Sequence, residues 1–163
     1  MRKVKSLFIG ILLIVSILTI VTPVSAATLE VGSGKTYATI GDAITAAVAG
    51  DTILVYPGTY NENVLINKSN IALKSVGGRD STIIGPGTSA RVIDIKGNLG
   101  TITVDGFTVL LSDSIEQPEG IVQGMASETG TTSIVKNNKV LTQNKLRNGI
   151  QVAGENSQVI GNI

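Results

Sequence analysis

Short apolar segments that align on one another at a repeating offset constrain this chain more than any other feature. SIVKNN (133–138) lies over SQVIGN (157–162) at an offset of 24 residues, setting Ser133 over Ser157, Val135 over Val159 and Asn138 over Asn162. Upstream of each stands a Gly-Ile pair, Gly120-Ile121 and Gly149-Ile150. A looser match runs backwards at an offset of 31, from VKNNKV (135–140) to VDGFTV (104–109), placing Val104 over Val135, Phe107 over Asn138 and Val109 over Val140. LKSVGG (73–78) lies one further step back, with Leu73 and Val76 in the corresponding positions. Repeats of this length fit one coil of a solenoid carrying three short strands and loops of variable length.

The rest of the chain agrees with that reading. After residue 50 it consists of short β-branched runs separated by Gly, Asn, Asp and Pro: TILVY, VLI, IALKSV, STII, RVIDI, TITV, FTVLL, GIVQ, SIVKN, KVLT, GIQV and QVIGN. No helical pattern lies between them to supply α/β crossovers, so a sandwich, a barrel or a solenoid remains, and the repetition selects the solenoid. In a solenoid each strand pairs with its equivalent one turn away, about 4.8 Å along the axis, so like side chains stack on like. DTILVYPGTYNENVLI (51–66) then holds two successive strands of one coil rather than a hairpin, with Pro57-Gly58 turning a corner between sheets. Asn138 over Asn162 is either an amide ladder running along the stack or a pair of turn residues chosen for their tolerance of αL.

One helix is expected. In IGDAITAAVAGD, Ile40, Ala43, Ile44 and Ala47 recur at i, i+3, i+4, i+7. Thr39 is placed to cap the N-terminus, with Asp42 three positions on, and Gly50 to stop the C-terminus. Laid across the first coil, this helix hides unpaired backbone and an open apolar end.

The first 26 residues read as an export leader. Arg2, Lys3 and Lys5 precede the apolar run LFIGILLIVSILTIV, and VSA offers a cleavage point after Ala26. An uncleaved anchor is the alternative, since the run also approaches the length of a membrane span. Without the leader the chain carries ten basic and twelve acidic residues, about −2, which gives no electrostatic footprint for nucleic acid. Cysteine is absent, so an exported fold must rest on packing and backbone pairing rather than disulfides. Histidine is absent too, which removes Ser/His and Cys/His nucleophile systems and the commonest metal ligand.

TYATIGDAITAAVAGDTILVYPGTYNENVLINKSNIALKSVGG resembles the N-terminal cap and first coils of right-handed parallel β-helix proteins of the pectin lyase-like superfamily, which includes pectinesterases and many microbial cell-surface proteins. The likeness rests on Tyr37, Thr39, Ile40, Ala43 and Ile44, on Gly50-Asp51, and on Pro57-Gly58-Thr59-Tyr60 with Glu62 and Val64. It implies an all-β, right-handed parallel β-helix with an N-terminal amphipathic capping helix; the repeat count gives four to five coils over 51–163, after the leader over 1–26 and a strand and cap over 27–50. Function is not implied by the fold, which hosts lyases, hydrolases, esterases and adhesive proteins. The Gly-Gln and Asp-Phe-Ile-Phe-Gly blocks of pectinesterases are missing; Gln123-Gly124 stand in the reverse order. Polygalacturonase-like sites need a histidine that this chain lacks.

No catalytic residue is therefore assigned. Asp94, Asp105 and Asp113 are the carboxylates to inspect for calcium, the one cofactor left open, although three scattered Asp do not specify a site of six to eight oxygens. Arg91 stands near Asp94 as an acid/base partner or a surface ion pair. Tyr56 is a candidate sugar platform, whereas Tyr60 is expected to pack against the cap. Asn67-Lys68-Ser69 is an N-glycosylation sequon in an exported loop. SQVIGNI ends in mid-coil, so the chain is expected to continue in a longer protein, or to cover that end with a partner or by self-association. The expected function is a secreted or cell-surface module that binds polysaccharide or adheres, without catalysis. The alternative is the N-terminal portion of a pectinesterase or pectate lyase relative whose site lies beyond Ile163.

Overall fold

The computed structural model describes residues 25–124, 130–142 and 148–163. The proposed leader, apart from its last two residues, lies outside the described residues. Among those described, no helix is long and apolar enough to cross a membrane.

Four complete coils are built from strands of three to six residues. The elements in chain order are β1 (Thr28–Val31), α1 (Ile40–Ala46), β2 (Thr52–Val55), β3 (Gly58–Tyr60), β4 (Val64–Ile66), β5 (Ala72–Ser75), β6 (Thr82–Ile84), β7 (Arg91–Ile95), β8 (Gly100–Asp105), β9 (Thr108–Leu110), β10 (Glu119–Gln123), β11 (Thr131–Lys136), β12 (Lys139–Leu141), β13 (Asn148–Gln151) and β14 (Gln158–Ile160). All pairings between strands are parallel and give three sheets: β1-β2-β5-β8-β11-β14, β3-β6-β9-β12 and β4-β7-β10-β13. The two runs of 51–66 do not pair with each other. β2 joins the first sheet, β4 the third, and Pro57 turns the corner between β2 and β3.

The register follows the alignment read from sequence. On the first sheet Leu29, Ile53, Leu73, Val104, Val135 and Val159 form one continuous ladder. Tyr60, Ile84, Val109 and Val140 form a second, and Val64, Ile93, Ile121 and Ile150 a third. These ladders meet in one aliphatic core, in which Phe107 is the largest fully buried side chain. Each buried aliphatic contributes roughly 1.5–3 kcal/mol. That sum is what a chain without disulfides has to hold three thin sheets together.

Asn138 is fully buried, and its carboxamide works along the stack. Its Oδ1 accepts from the Phe107 N–H at 2.9 Å, and its Nδ2 donates to the Val104 carbonyl at 3.0 Å. Asn162 repeats the device one coil on: its Oδ1 accepts from the Asn138 N–H at 2.9 Å, and its Nδ2 donates to the Val135 carbonyl at 2.8 Å. The amide-ladder reading of this pair is therefore the correct one.

Three details differ from the sequence reading. Gly58–Tyr60, read as turn, is a strand paired with β6. The helix stops at Ala46, with Ala47 as C-cap in an extended conformation; Gly50, at φ 97°, serves the next turn instead. Val76 is half exposed and does not stack under Phe107, because the second coil inserts a longer excursion between β5 and β6 and pairing between β5 and β8 ends at Lys74. That excursion runs along the corner of the stack. The Arg79 carbonyl accepts from Thr108 Oγ1 at 2.7 Å, and Arg79 Nη1 reaches the Gly161 carbonyl at 3.0 Å, 82 positions away.

The cap is fixed by two carboxylates. Thr39 Oγ1 accepts from the Asp42 N–H at 3.1 Å, and Glu62, delivered by the loop after β3, accepts from the Ile40 and Gly41 N–H groups, both at 2.9 Å. Negative charge there complements the helix dipole. Asp51, almost fully buried, accepts from the Ala27 and Val48 N–H groups, both at 2.8 Å, and so clamps both ends of the cap segment to β2. Ile40, Ala43 and Ile44 face the core as the periodicity requires.

Candidate functional site

The densest set of linked charges lies on the outer face of the β4-β7-β10-β13 sheet. Strand β7, RVIDI, starts irregularly: Val92 and Ile93 are consecutive core residues, so Arg91 and Asp94 both fall to the outside. Asn63, from the preceding coil, fixes this start. Its Oδ1 accepts from the Thr88 and Ser89 N–H groups at 2.8 and 3.0 Å, and its Nδ2 donates to the Arg91 carbonyl at 2.7 Å. Parallel pairing then brings Glu119 of β10 beside Arg91, and Val122 beside Asp94.

The four charged side chains form one chain of ion pairs. Arg91 Nε donates to Glu119 Oε2 at 2.9 Å and Nη1 to Asp94 Oδ1 at 3.2 Å, while Lys96 Nζ donates to Asp94 Oδ2 at 2.9 Å. The two carboxylates are the more buried partners, Glu119 at 8% and Asp94 at 19%, and the two cations the more exposed, Arg91 at 30% and Lys96 at 45%. The Glu119 carboxylate, with Asp94 beside it, holds the guanidinium above its ordinary pKa despite partial burial. Arg91 is thus a permanent cation, and both Asp94 oxygens are neutralised. Leu65, exposed at 43%, pairs in register with Asp94 and puts an apolar surface next to the charges.

The arrangement sets two cationic donors beside an exposed apolar side chain. Each Asp94 oxygen accepts one hydrogen bond from a cation. Such donors can meet oxygen acceptors while the apolar side chain offers a dry contact surface.

Of the charged residues singled out from sequence, Arg91 and Asp94 are brought together, and Asp105 and Asp113 lie apart from them. Asp105 lies on the first sheet, 3.4 Å from Lys136 Nζ and accepting from Asn137 Nδ2 at 2.9 Å. Asp113 is in the exposed segment between β9 and β10. The three aspartates do not converge on one face, and no group of three or more acidic residues suited to a metal occurs among the described residues. Tyr56 stands at the cap: its hydroxyl donates to Glu30, and Lys35 Nζ lies 3.7 Å from its ring centroid, covering one face that a sugar would need. Tyr60 packs in the core, its hydroxyl donating to the Tyr56 carbonyl at 2.8 Å. Gln123 is buried and donates to the Thr131 carbonyl, so it does not reach the outer face. Glu119 was not legible as a partner of Arg91. The signal was the Gly120-Ile121 repeat start, which fixes the register that sets the two side by side.

No family model matches the chain. It is 37% identical over 84 residues to pectinesterase A of Dickeya chrysanthemi, covering 49% of this chain and 23% of the relative; pectinesterase A of Dickeya dadantii matches to the same extent. A cell surface glycoprotein of Methanothermus fervidus is 32% identical over 128 residues, covering 77% of this chain and 19% of the relative. The chain thus spans about a fifth to a quarter of the length of these relatives. Among solved structures, pectin methylesterase PemA from Erwinia chrysanthemi superposes with a TM-score of 0.52 at 23% identity, covering 78% of this chain and 46% of that one. A pectin methylesterase in complex with a hexasaccharide superposes at 0.53 with 19% identity, covering 79% and 46%. Coil geometry, cap helix and structural neighbours agree: the chain has the pectin lyase-like parallel β-helix fold.

Proposed function

We propose that this chain is an extracellular β-helix module that binds polysaccharide on the outer face of the β4-β7-β10-β13 sheet and does no chemistry there. The observation that carries the reading is the Glu119–Arg91–Asp94–Lys96 chain, in which every carboxylate oxygen of Asp94 is held by a cation while the cations themselves stay partly exposed. Support for an extracellular setting comes from the relatives, a cell surface glycoprotein and pectinesterases. A glycan would exchange hydroxyl and carboxylate oxygens for part of the ion-pair network and lay a ring face on Leu65.

Co-sedimentation with insoluble cell-wall polysaccharides and calorimetry with soluble ones test this. The Arg91→Ala/Lys96→Ala double variant should bind at least about tenfold more weakly, the loss of one to two charge-assisted hydrogen bonds. Equal binding by wild type and variant would sink the assignment of the face. A second reading, that the chain is the first part of a carbohydrate esterase, is favoured by the 37% identity to pectinesterase A. Release of methanol from methylated pectin by the protein would establish it over the non-catalytic one.

A further inference from the structure

We propose that Asn67 is an N-glycosylation site, modified with an oligosaccharide from a lipid-linked donor; the inference rests on the extracellular reading above. Asn67-Lys68-Ser69 is the only Asn-x-Ser/Thr triplet in the sequence. Asn67 is exposed in the loop between β4 and β5, and its carboxamide takes no hydrogen bond from any described residue. The flanking asparagines differ. Asn63 is spent on the turn before β7, and Asn70 Oδ1 accepts from the Thr101 N–H at 2.9 Å. Asn61 is exposed as well but stands in no Asn-x-Ser/Thr triplet, so the sequon holds the open asparagine of this coil that an oligosaccharyltransferase could read.

Its surroundings leave room for a bulky group. Asn67 directly follows Ile66, whose carbonyl accepts from the Lys96 N–H at 3.0 Å, so the side chain leaves the stack at the margin of the third sheet. A glycan there would stand beside the Asp94–Lys96 end of the charged row, next to the face proposed to bind polysaccharide. In the reaction, Asn67 Nδ2 attacks the anomeric carbon of the donor sugar. The new C–N bond forms as the C–O bond to the polyprenyl phosphate breaks, the phosphate departs with the bonding pair, and the amide nitrogen gives up a proton. The co-reactant is a phosphate-linked oligosaccharide on a lipid, delivered by a separate oligosaccharyltransferase that reads the hydroxyl at position 69.

Intact-mass measurement and tandem sequencing of peptides test this on the full chain, recovered from the envelope or medium of the cells that make it. The peptide containing Asn67 should carry a glycan mass, lost in Asn67→Gln and Ser69→Ala but kept in Ser69→Thr. An unmodified Asn67 on exported wild-type protein overturns the glycosylation and leaves the extracellular reading standing. Protein found only in the cytoplasm overturns both. A mass shift that survives Ser69→Ala assigns the modification to other chemistry and overturns the sequon role.

Discussion

Asn138 shows how much one side chain contributes in a stack this thin. Its carboxamide satisfies the Phe107 N–H and the Val104 carbonyl inside the core, and both lose their partner on truncation. Asn138→Ala should therefore cost about 2–4 kcal/mol, from unsatisfied buried groups and the cavity together. Urea midpoints report it, and a change under 0.5 kcal/mol, roughly the scale of a surface substitution, would refute the ladder as a source of stability. Tyr60 makes a second case. Burial, and then the Glu62 charge, raise its phenol above the ordinary value, so the unfolded state loses its proton first. Stability is then complete below about pH 10 and falls as pH rises from there through the folded pKa. In Tyr60→Phe that alkaline loss should shrink, alongside a pH-independent loss of about 1 kcal/mol for the hydroxyl bond to Tyr56. At this scale the sequence was legible where residues repeat: Asn138 over Asn162 could be aligned. The Asn138 bond to Phe107 could not, because it joins a side chain to a backbone group that every residue possesses.

Among the elements, the cap helix depends on a residue outside itself. Seven residues form only a marginal helix alone, and Glu62 supplies two of the hydrogen bonds its N-terminus lacks. Glu62→Ala should cost about 1–2 kcal/mol, and Glu62→Gln less, by thermal melting. Ile44→Asp places a charge in the core under the helix and should abolish soluble protein; unchanged yield and melting would count against the capping role. The helix itself was legible from its period of apolar residues and its Thr39 cap. Its early end was not, since Ala47 and Val48 carry no stop signal and the chain is pulled away by Asp51 binding the Val48 N–H. Strand β3 escaped notice for a related reason: Gly58-Thr59-Tyr60 has the composition of a turn, and only pairing with β6 makes it a strand. Tertiary pairing overrides local preference in elements of three residues.

For the molecule as a whole, register equivalence means that a coil is a removable unit. Leu73 and Val104 occupy the same rung, so deleting residues 74–104 should leave a shorter solenoid with intact ladders. The deletion protein should keep its β-type circular dichroism at a lower melting temperature, and should lack the polysaccharide binding proposed for the outer face, with Arg91, Asp94 and Lys96 gone. A disordered product would show that the coils are not equivalent. The candidate face was half legible in advance. Arg91 and Asp94 are close in sequence, whereas Glu119 reaches them only through the pairing of β7 with β10. Asp105 and Asp113 resemble Asp94 in sequence but belong to another sheet and to a loop.

The Arg79 contact with Gly161 alters how such a stack comes apart. Coils that touch only their neighbours behave like a zipper, and loosening at one end dies out within a rung or two. A hydrogen bond between the second coil and the start of the fifth gives the last rungs a remote anchor, and links their opening to the excursion that carries Arg79. Arg79→Ala should thus speed hydrogen exchange of the Asn137 amide, which bonds the Ile160 carbonyl, while leaving the Tyr56 amide, which bonds the Val31 carbonyl in the first rungs, unchanged. Opening of the β14 rung then becomes a property of two distant turns at once.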